Sequence, residues 1–293
     1  MTEKIDKRYV DLDTWSVEQI LEALLSSNAR ALSAVQDVLD DLTRAAEGIA
    51  ERLDAGGRLV YAGAGTSGRL ALQDAAELPP TFGFERTLVL LAGGDEASEK
   101  AAEGAEDDAA AARRAIEDAV IGPEDAVIGI AASGKTPYTV AAVQAAGAAG
   151  AFTVGVANNA STPLLAEAEV ALFLNTGPEV LAGSTRLAAG TAQKVVLNAL
   201  STAALIRLGG AYQNLMVGMT PVNEKLRGRA VSIVGGATGV SEEKARAALF
   251  ESGGQMREAI VMIGSGVSLA EAKGRLERSN GRVREALENK SPP

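Results

Sequence analysis

Residues 58–69 read RLVYAGAGTSGR: three apolar residues, Leu59, Val60 and Tyr61, pass through Gly63 and Gly65 into the hydroxyls of Thr66 and Ser67. The apolar run has the length and residue types of a buried parallel strand. Glycines directly after it let backbone amides come close to a ligand, and a helix starting at Thr66 offers free N–H groups and a positive dipole end to an anion. The stretch reads as a phosphate cradle. It is not a P-loop, which ends in Gly-Lys-Ser/Thr, and it falls short of a dinucleotide fingerprint, which needs an acidic residue at the end of the next strand. That strand, Thr87–Leu91, runs into AGGDE, so Asp95 leaves a cofactor reading open. A tight strand-to-helix turn that binds nothing is the plain alternative.

Outward from this stretch the chain alternates. Strands are predicted at Leu59–Ala62, Thr87–Leu91, Ala126–Ile130, Phe152–Val156 and Val170–Leu174. Helices are predicted at Thr66–Leu78, Glu96–Ala119, Thr136–Ala149 and Thr185–Leu208. The pattern is that of a doubly wound α/β unit, a parallel sheet with helices on both faces. Ligands of such sheets bind beyond the carboxyl ends of the strands, so the loops there are where chemistry belongs.

Two further loops resemble the first. AASGKTPY follows Ile130 and offers Ser133, Gly134, Lys135 and Thr136, a hydroxyl, amides and a cation at a second helix start, although Lys135 also reads as a solvated surface lysine. NTGPEVLAGSTRLAAGTAQK follows Leu174, with Glu179 ahead of a hydroxyl-capped helix start at Ser184 and Thr185, and with Arg186, Gln193 and Lys194 in its first turns. An ordinary capped helix is the alternative there. Glu77 stands before Leu78-Pro79-Pro80, where the helix is expected to stop and the chain to reverse. A glutamate at a helix C-terminus opposes the dipole. Glu103 and Glu106 lie three apart on the next predicted helix, with Gly104 between them suggesting a close approach. For any single acid in this Glu-rich stretch, a solvated helix face is the plain reading.

Composition narrows the chemistry. None of the 293 residues is Cys or His. Disulfides, thiolate metal sites, cysteine nucleophiles, the Ser-His-Asp triad and His-based zinc sites are therefore excluded. Acid–base work falls to carboxylate, Lys or Tyr. A net charge of −10 with 3% aromatic residues argues against nucleic acid. MTEKIDKRYVDLD lacks the apolar core of a signal peptide and no long uncharged apolar run occurs, so a cytoplasmic protein without membrane contact is expected.

Flanking the alternating region are helical segments. Ser16, with Gln19 three residues on, caps a helix through SVEQILEALLSS, and a second helix is expected from about Asn28 to Asp54, stopping at Gly56-Gly57. The pair reads as a dimer arm or a packing layer. At the other end, Ser241 caps SEEKARAALFES, Gly253-Gly254 breaks the chain, QMREAIVMI follows, and Ser268 caps SLAEAKGRLER. This predicts a small bundle of three or four helices with a packing, dimer or protein-recognition role. The expected division is an N-terminal helical arm over 1–57, a ligand-binding α/β domain over 58–228, and the bundle over 229–293, with the break near Arg229.

Taken jointly, GGRLVYAGAGTSGRLALQDAAELPPTFG, AEGAEDD, IGIAASGKTPY, GPEVLAGSTRLAAGTAQK, NALSTAALIRLGGAYQNLMV and NEKL follow in order the pattern of the N-acetylmuramic acid 6-phosphate etherases. The chain resembles this family, of the sugar isomerase (SIS) domain superfamily, from about Thr2 to its C-terminus; the regulator of mammalian glucokinase is a distant relative. The resemblance implies a five-stranded flavodoxin-like SIS domain, a small C-terminal helical domain of ubiquitin-associated type, and a homodimer with sites near the subunit interface. It implies loss of D-lactate from C3 of N-acetylmuramate 6-phosphate, leaving N-acetylglucosamine 6-phosphate, without metal or nucleotide cofactor. By the same analogy Glu77 and Glu106 match the two catalytic glutamates. Gly65, Thr66, Ser67, Ser133, Gly134, Lys135, Thr136, Glu179, Ser184 and Thr185 match the substrate- and phosphate-binding turns. A non-catalytic sugar-phosphate sensor and an aldose–ketose isomerase on the same fold are the competing readings, and the presence of both glutamates favours the etherase.

The chain also departs from the family pattern. R-L-G-x-L-D-A-S-E-C-P-P becomes a sequence with Ala71, Ala76 and Leu78 around Glu77; R-M-K-A-G carries Ala188 in place of its lysine; and N-L-M-V-D ends in Gly218. These changes spare the proposed catalytic groups. They are expected to bear on substrate affinity and on which sugar is taken.

Overall fold

The computed structural model describes residues 2–98, 104–219, 221 and 223–288. Glu103 and the side chain of Asp95 lie outside the described residues. Two compact units emerge, one of residues 1–75 and 86–202, the other of residues 76–85 and 203–293.

The first unit opens with α1 (Val17–Gln36), whose start is locked by the capping box of Ser16 and Gln19, and continues into α2 (Leu39–Asp54). The break between them falls at Asp37-Val38 and not at Asn28. Asn28 stays helical because its side-chain amide donates to the Leu24 carbonyl one turn back, 3.1 Å, while its oxygen accepts from Thr191 at 2.7 Å.

Next come β1 (Leu59–Gly63), α3 (Gly65–Phe82), β2 (Thr87–Leu91), α4 (Ala109–Asp118), β3 (Ala126–Ile130), α5 (Pro137–Ala148), β4 (Phe152–Ala157), α6 (Pro163–Glu167), β5 (Val170–Phe173) and α7 (Ala188–Leu205). The five strands form one parallel sheet in the order β2-β1-β3-β4-β5, with Gly63 opposite Ile130 and Ile130 opposite Val156 at its carboxyl edge. This is the flavodoxin-like order, and β1 and β3 flank its switch point. β1, β3 and β4 are buried along their whole length, which is why their residues are continuously apolar, while the edge strands β2 and β5 are only partly buried. At the amino edge Arg58 donates to Asp125 from its backbone amide and guanidinium, and Gly122 adds a third donor, tying the start of β1 to that of β3.

One predicted helix is not continuous. In place of Glu96–Ala119 the chain makes 3₁₀ turns at Asp95–Ser98 and Ala105–Asp107 and then α4, capped by the Asp108 carboxylate accepting from Ala111 N–H at 2.8 Å. Gly104 has φ 74°, and a Cβ there would meet nothing within 4 Å. It serves a left-handed turn.

The second unit contains the last turns of α3. Against expectation, α3 runs through Pro79 and Pro80 to Phe82, and the reversal comes at Gly83 (φ 65°). A proline's fixed φ is itself helical; what it withholds is one amide, and here only the Ala75 and Ala76 carbonyls lose donors, close to the helix end. After a π turn at Ile206–Gly210, the hairpin β6 (Ala211–Tyr212) and β7 (Leu215–Met216) leads to α8 (Glu224–Thr238), α9 (Glu242–Glu251), α10 (Met256–Ser265), α11 (Leu269–Arg278) and α12 (Val283–Glu288). Ser241 and Ser268 cap α9 and α11 as expected. Arg229, the expected break, lies inside α8, and the unit begins 26 residues earlier, at Ala203. Its core is formed by Val217, Val234, Leu249, Met256, Ile260 and Leu276 among others.

Gly218 also has its reason here. A Cβ on it would lie 2.2 Å from the Phe82 carbonyl oxygen, and one on Gly83 would lie 2.3 Å from the Gly218 oxygen. The aspartate of the family pattern has no room against this helix end.

Candidate active site

At the carboxyl edge of the sheet, β1 passes into α3 with almost no spacer. A Cβ at Gly63 would sit 3.0 Å from the Gly68 nitrogen, and one at Gly68 would sit 2.3 Å from a Leu91 methyl. Two glycines thus let the strand end touch the first turn of the helix, whose opening amides at Gly65, Thr66 and Ser67 have no partner inside the helix. Ser67 is 7% exposed and its hydroxyl points inward, donating to Gln193 Oε1 at 2.8 Å. Gln193 Nε2 donates to Asn158 Oδ1 at 2.9 Å, and Asn158 Nδ2 donates to the Leu174 carbonyl at 3.2 Å.

The neighbouring loop after β3 is equally constrained. Ser133 Oγ accepts from the Lys135 amide at 3.1 Å and lies 3.4 Å from Thr136 Oγ1. Gly134 has φ 65°, and a Cβ on it would strike Thr162 Oγ1 at 2.3 Å. The Lys135 side chain is exposed. With the hydroxyls, amides and one cation, this turn can hold an anion. A cavity of about 250 Å³ opens beside it, lined by Ser133, Lys135, Asn159, Ser161 and Thr162.

The third turn is built differently from the sequence expectation. Ser184 and Thr185 do not cap α7, which starts only at Ala188. The cap is Glu179: buried to 1% exposure, it accepts from Ala188 N–H at 3.0 Å and Ala189 N–H at 2.9 Å. Burial pushes its carboxyl above the ordinary value, against the pull of those two amides. Both oxygens are engaged, so Glu179 shapes the loop instead of reaching a ligand directly. Ser184 and Thr185 are left in the turn, half-buried. Ala188 and Ala71 are fully buried, so these two departures are core packing and not pocket wall.

Glu77 and Glu106 are both exposed. Glu77 lies on α3 five residues before its end, in the second unit; Glu106 lies on the 3₁₀ turn Ala105–Asp107, in the first. Neither has a hydrogen bond or ion pair among the described residues, which leaves both carboxylates available for chemistry.

Sequence reasoning did not assign two sets of residues. Asn158 and Gln193 join the loops after β1, β4 and β5, and the polar pair Asn158-Asn159 at the end of an apolar strand carries the same signal as the loops that were singled out. Behind them Tyr61 OH donates to Asp74 Oδ2 at 2.7 Å, Asn198 donates to the other Asp74 oxygen, and Lys194 donates to Asn198. Burial first, and then the Asp74 charge, push the Tyr61 phenol well up. No local pattern announces this set, because its members come from β1, α3 and α7.

Loops of hydroxyls and amides on the switch-point edge of a five-stranded flavodoxin-like sheet form an edge that can hold a small anionic ligand. Accordingly, the family model of the SIS domain matches residues 96–203, and that of the glucokinase regulatory protein N-terminal SIS domain matches residues 41–147. A solved phosphoheptose isomerase from Francisella tularensis has the same fold, with TM-score 0.50 and 17% identity over 65% of this chain and 98% of its own. Much nearer are the N-acetylmuramic acid 6-phosphate etherases of Deinococcus radiodurans, 49% identical over 89% of this chain and 87% of its length, and of Symbiobacterium thermophilum, 50% identical over 87% and 85%. The chain belongs to the N-acetylmuramic acid 6-phosphate etherase family.

Proposed function

We propose that this protein cleaves the lactyl ether of N-acetylmuramic acid 6-phosphate, giving N-acetylglucosamine 6-phosphate and D-lactate. The observation that carries this reading is the near-full-length likeness to etherases at about half identity. In the open-chain sugar the C2 proton is α to an aldehyde. One carboxylate removes it, the C3–O bond breaks, and a protonated partner gives its proton to the departing lactate oxygen. Water then adds to C3 of the unsaturated aldehyde while a proton returns to C2. Glu77 and Glu106 supply the two groups, each contributing on the order of 10²–10⁴ in rate. The turns at 65–67, 133–136 and 184–185 bind the sugar phosphate, and the reaction uses no metal or nucleotide.

The protein acts in the cytoplasm as a homodimer. Support for the dimer is an apolar stripe on α1, where Val17, Leu21, Leu25 and Leu32 share one face and are 51–73% exposed. Leu21→Asp combined with Leu25→Asp is expected to halve the mass seen in light scattering; a wild-type monomer sinks the dimer reading.

The deciding assay is D-lactate release in ¹⁸O-labelled water. Label at C3 of the product supports elimination and addition. Because the glucokinase-regulator model also matches, a non-catalytic sensor is the second reading, and tight sugar-phosphate binding with no lactate release would establish it.

A further inference from the structure

The Ser67 hydroxyl has one proton, and its direction follows from the Leu174 carbonyl just past the end of β5. The Leu174 carbonyl can only accept. Asn158, fully buried, must therefore turn its side-chain nitrogen to it, at 3.2 Å. That leaves Asn158 Oδ1 facing Gln193, which must answer with Nε2, at 2.9 Å. Gln193, 1% exposed, is then left with Oε1 facing Ser67 at 2.8 Å, and an amide oxygen can only accept. Every orientation is dictated by its neighbour, and reversing one link would set two acceptors or two donors against each other in a buried place. Ser67 gives its proton inward and has only lone pairs left.

We infer that Gln193 and Asn158 are positioning residues that fix Ser67 as a hydrogen-bond acceptor, so that the ligand group it meets is a donor, a sugar hydroxyl or amide N–H, and not a phosphate oxygen. A phosphate monoester near neutral pH is close to a dianion and offers acceptors almost exclusively. It needs donors, and the turn after β3 has them. Ser133 Oγ already accepts from the Lys135 amide, and Ser133 and Thr136 have two hydroxyl protons for at most one bond between them. The site is thus polarised, with the phosphate at the β3 turn and the donor groups of the sugar toward β1. This assignment rests on the sugar-phosphate reading above.

The test compares binding of N-acetylglucosamine 6-phosphate and of inorganic phosphate by calorimetry. Ser67→Ala, a single-atom deletion, is expected to weaken the sugar phosphate about tenfold, the equivalent of one hydrogen bond, and to leave inorganic phosphate within about twofold. Ser133→Ala is expected to weaken both. Gln193→Leu frees the Ser67 proton and should weaken the sugar phosphate while leaving inorganic phosphate unchanged or tighter. The double variant Ser67→Ala/Gln193→Leu should be no weaker than the worse single one. Should Gln193→Leu fail to fold, Ser67→Ala alone still decides. Equal weakening of both ligands by Ser67→Ala, or no weakening of the sugar phosphate, overturns the inference, as does wild-type protein that binds both ligands equally. Lactate release is assayed separately, so tight sugar-phosphate binding without turnover sinks the etherase reading and leaves this result standing.

Discussion

Two glutamates singled out in the sequence live in opposite conditions. Glu179, ahead of α7, is buried with both oxygens on backbone amides. Glu77, near the end of α3, is exposed and without a partner among the described residues. A buried carboxylate with each oxygen held by a backbone amide is part of the framework. One left exposed and unpartnered among the described residues keeps its oxygens open to solvent. The two look alike in the sequence; burial separates them.

The sharpest way to break this comparison is to remove the open carboxylates. Glu77→Ala and Glu106→Ala are each expected to lower kcat for lactate release about 10²- to 10⁴-fold, with stability within about 0.5 kcal/mol of wild type. A folded Glu77→Ala protein with full activity would end the catalytic assignment.

At the same end of α3, Gly218→Asp returns the residue of the family pattern. It is expected to cost about 1–3 kcal/mol, read as a lower denaturation midpoint, because a Cβ there meets the Phe82 carbonyl at 2.2 Å. A gain in stability would mean that the helix end shifts freely.

Glu179→Ala should show the inverse of Glu77→Ala. It leaves two buried amides bare, at a cost of about 1–3 kcal/mol, and lowers the melting temperature while the folded fraction keeps most of its kcat. The pH dependence sharpens this. Burial raises the Glu179 carboxyl, so between its unfolded and folded values the native state holds more protons. The group therefore favours folding below the unfolded value, and that contribution is lost as pH rises through the window to the folded value. Thermal melts of wild type and Glu179→Gln should diverge in favour of wild type as pH falls through that window; parallel curves would place the titration elsewhere.

The smallest effect is expected at Glu117, an exposed acid on α4. Glu117→Ala should change neither activity nor stability beyond about 0.5 kcal/mol, which makes it the control for carboxylates of the same acidic stretch.

Much of the architecture was readable because its signals are local. The second and third strands have the predicted bounds, the other three differ by one residue at the carboxyl end, and the caps at Ser16, Ser241 and Ser268 stand where their residue types placed them. The misjudged boundaries are those where a local rule met a stronger constraint. Pro79-Pro80 sat near enough to a helix end to be tolerated, Asn28 kept its helix by bonding back to Leu24, and Asp108 captured the start of α4 from the longer predicted helix.

By itself, then, the sequence determined the alternation of strands and helices, the glycine turns at strand ends, the absence of histidine and cysteine chemistry, and the pair of glutamate motifs, since each is written in adjacent residues. Only the tertiary structure decided that Glu179 is a cap, that Ala71 and Ala188 are core, and that Ser67 reaches Asn158 through Gln193. Those facts depend on residues up to 126 positions apart meeting in the interior, where a hydrogen bond's direction is imposed by whichever neighbour has no choice.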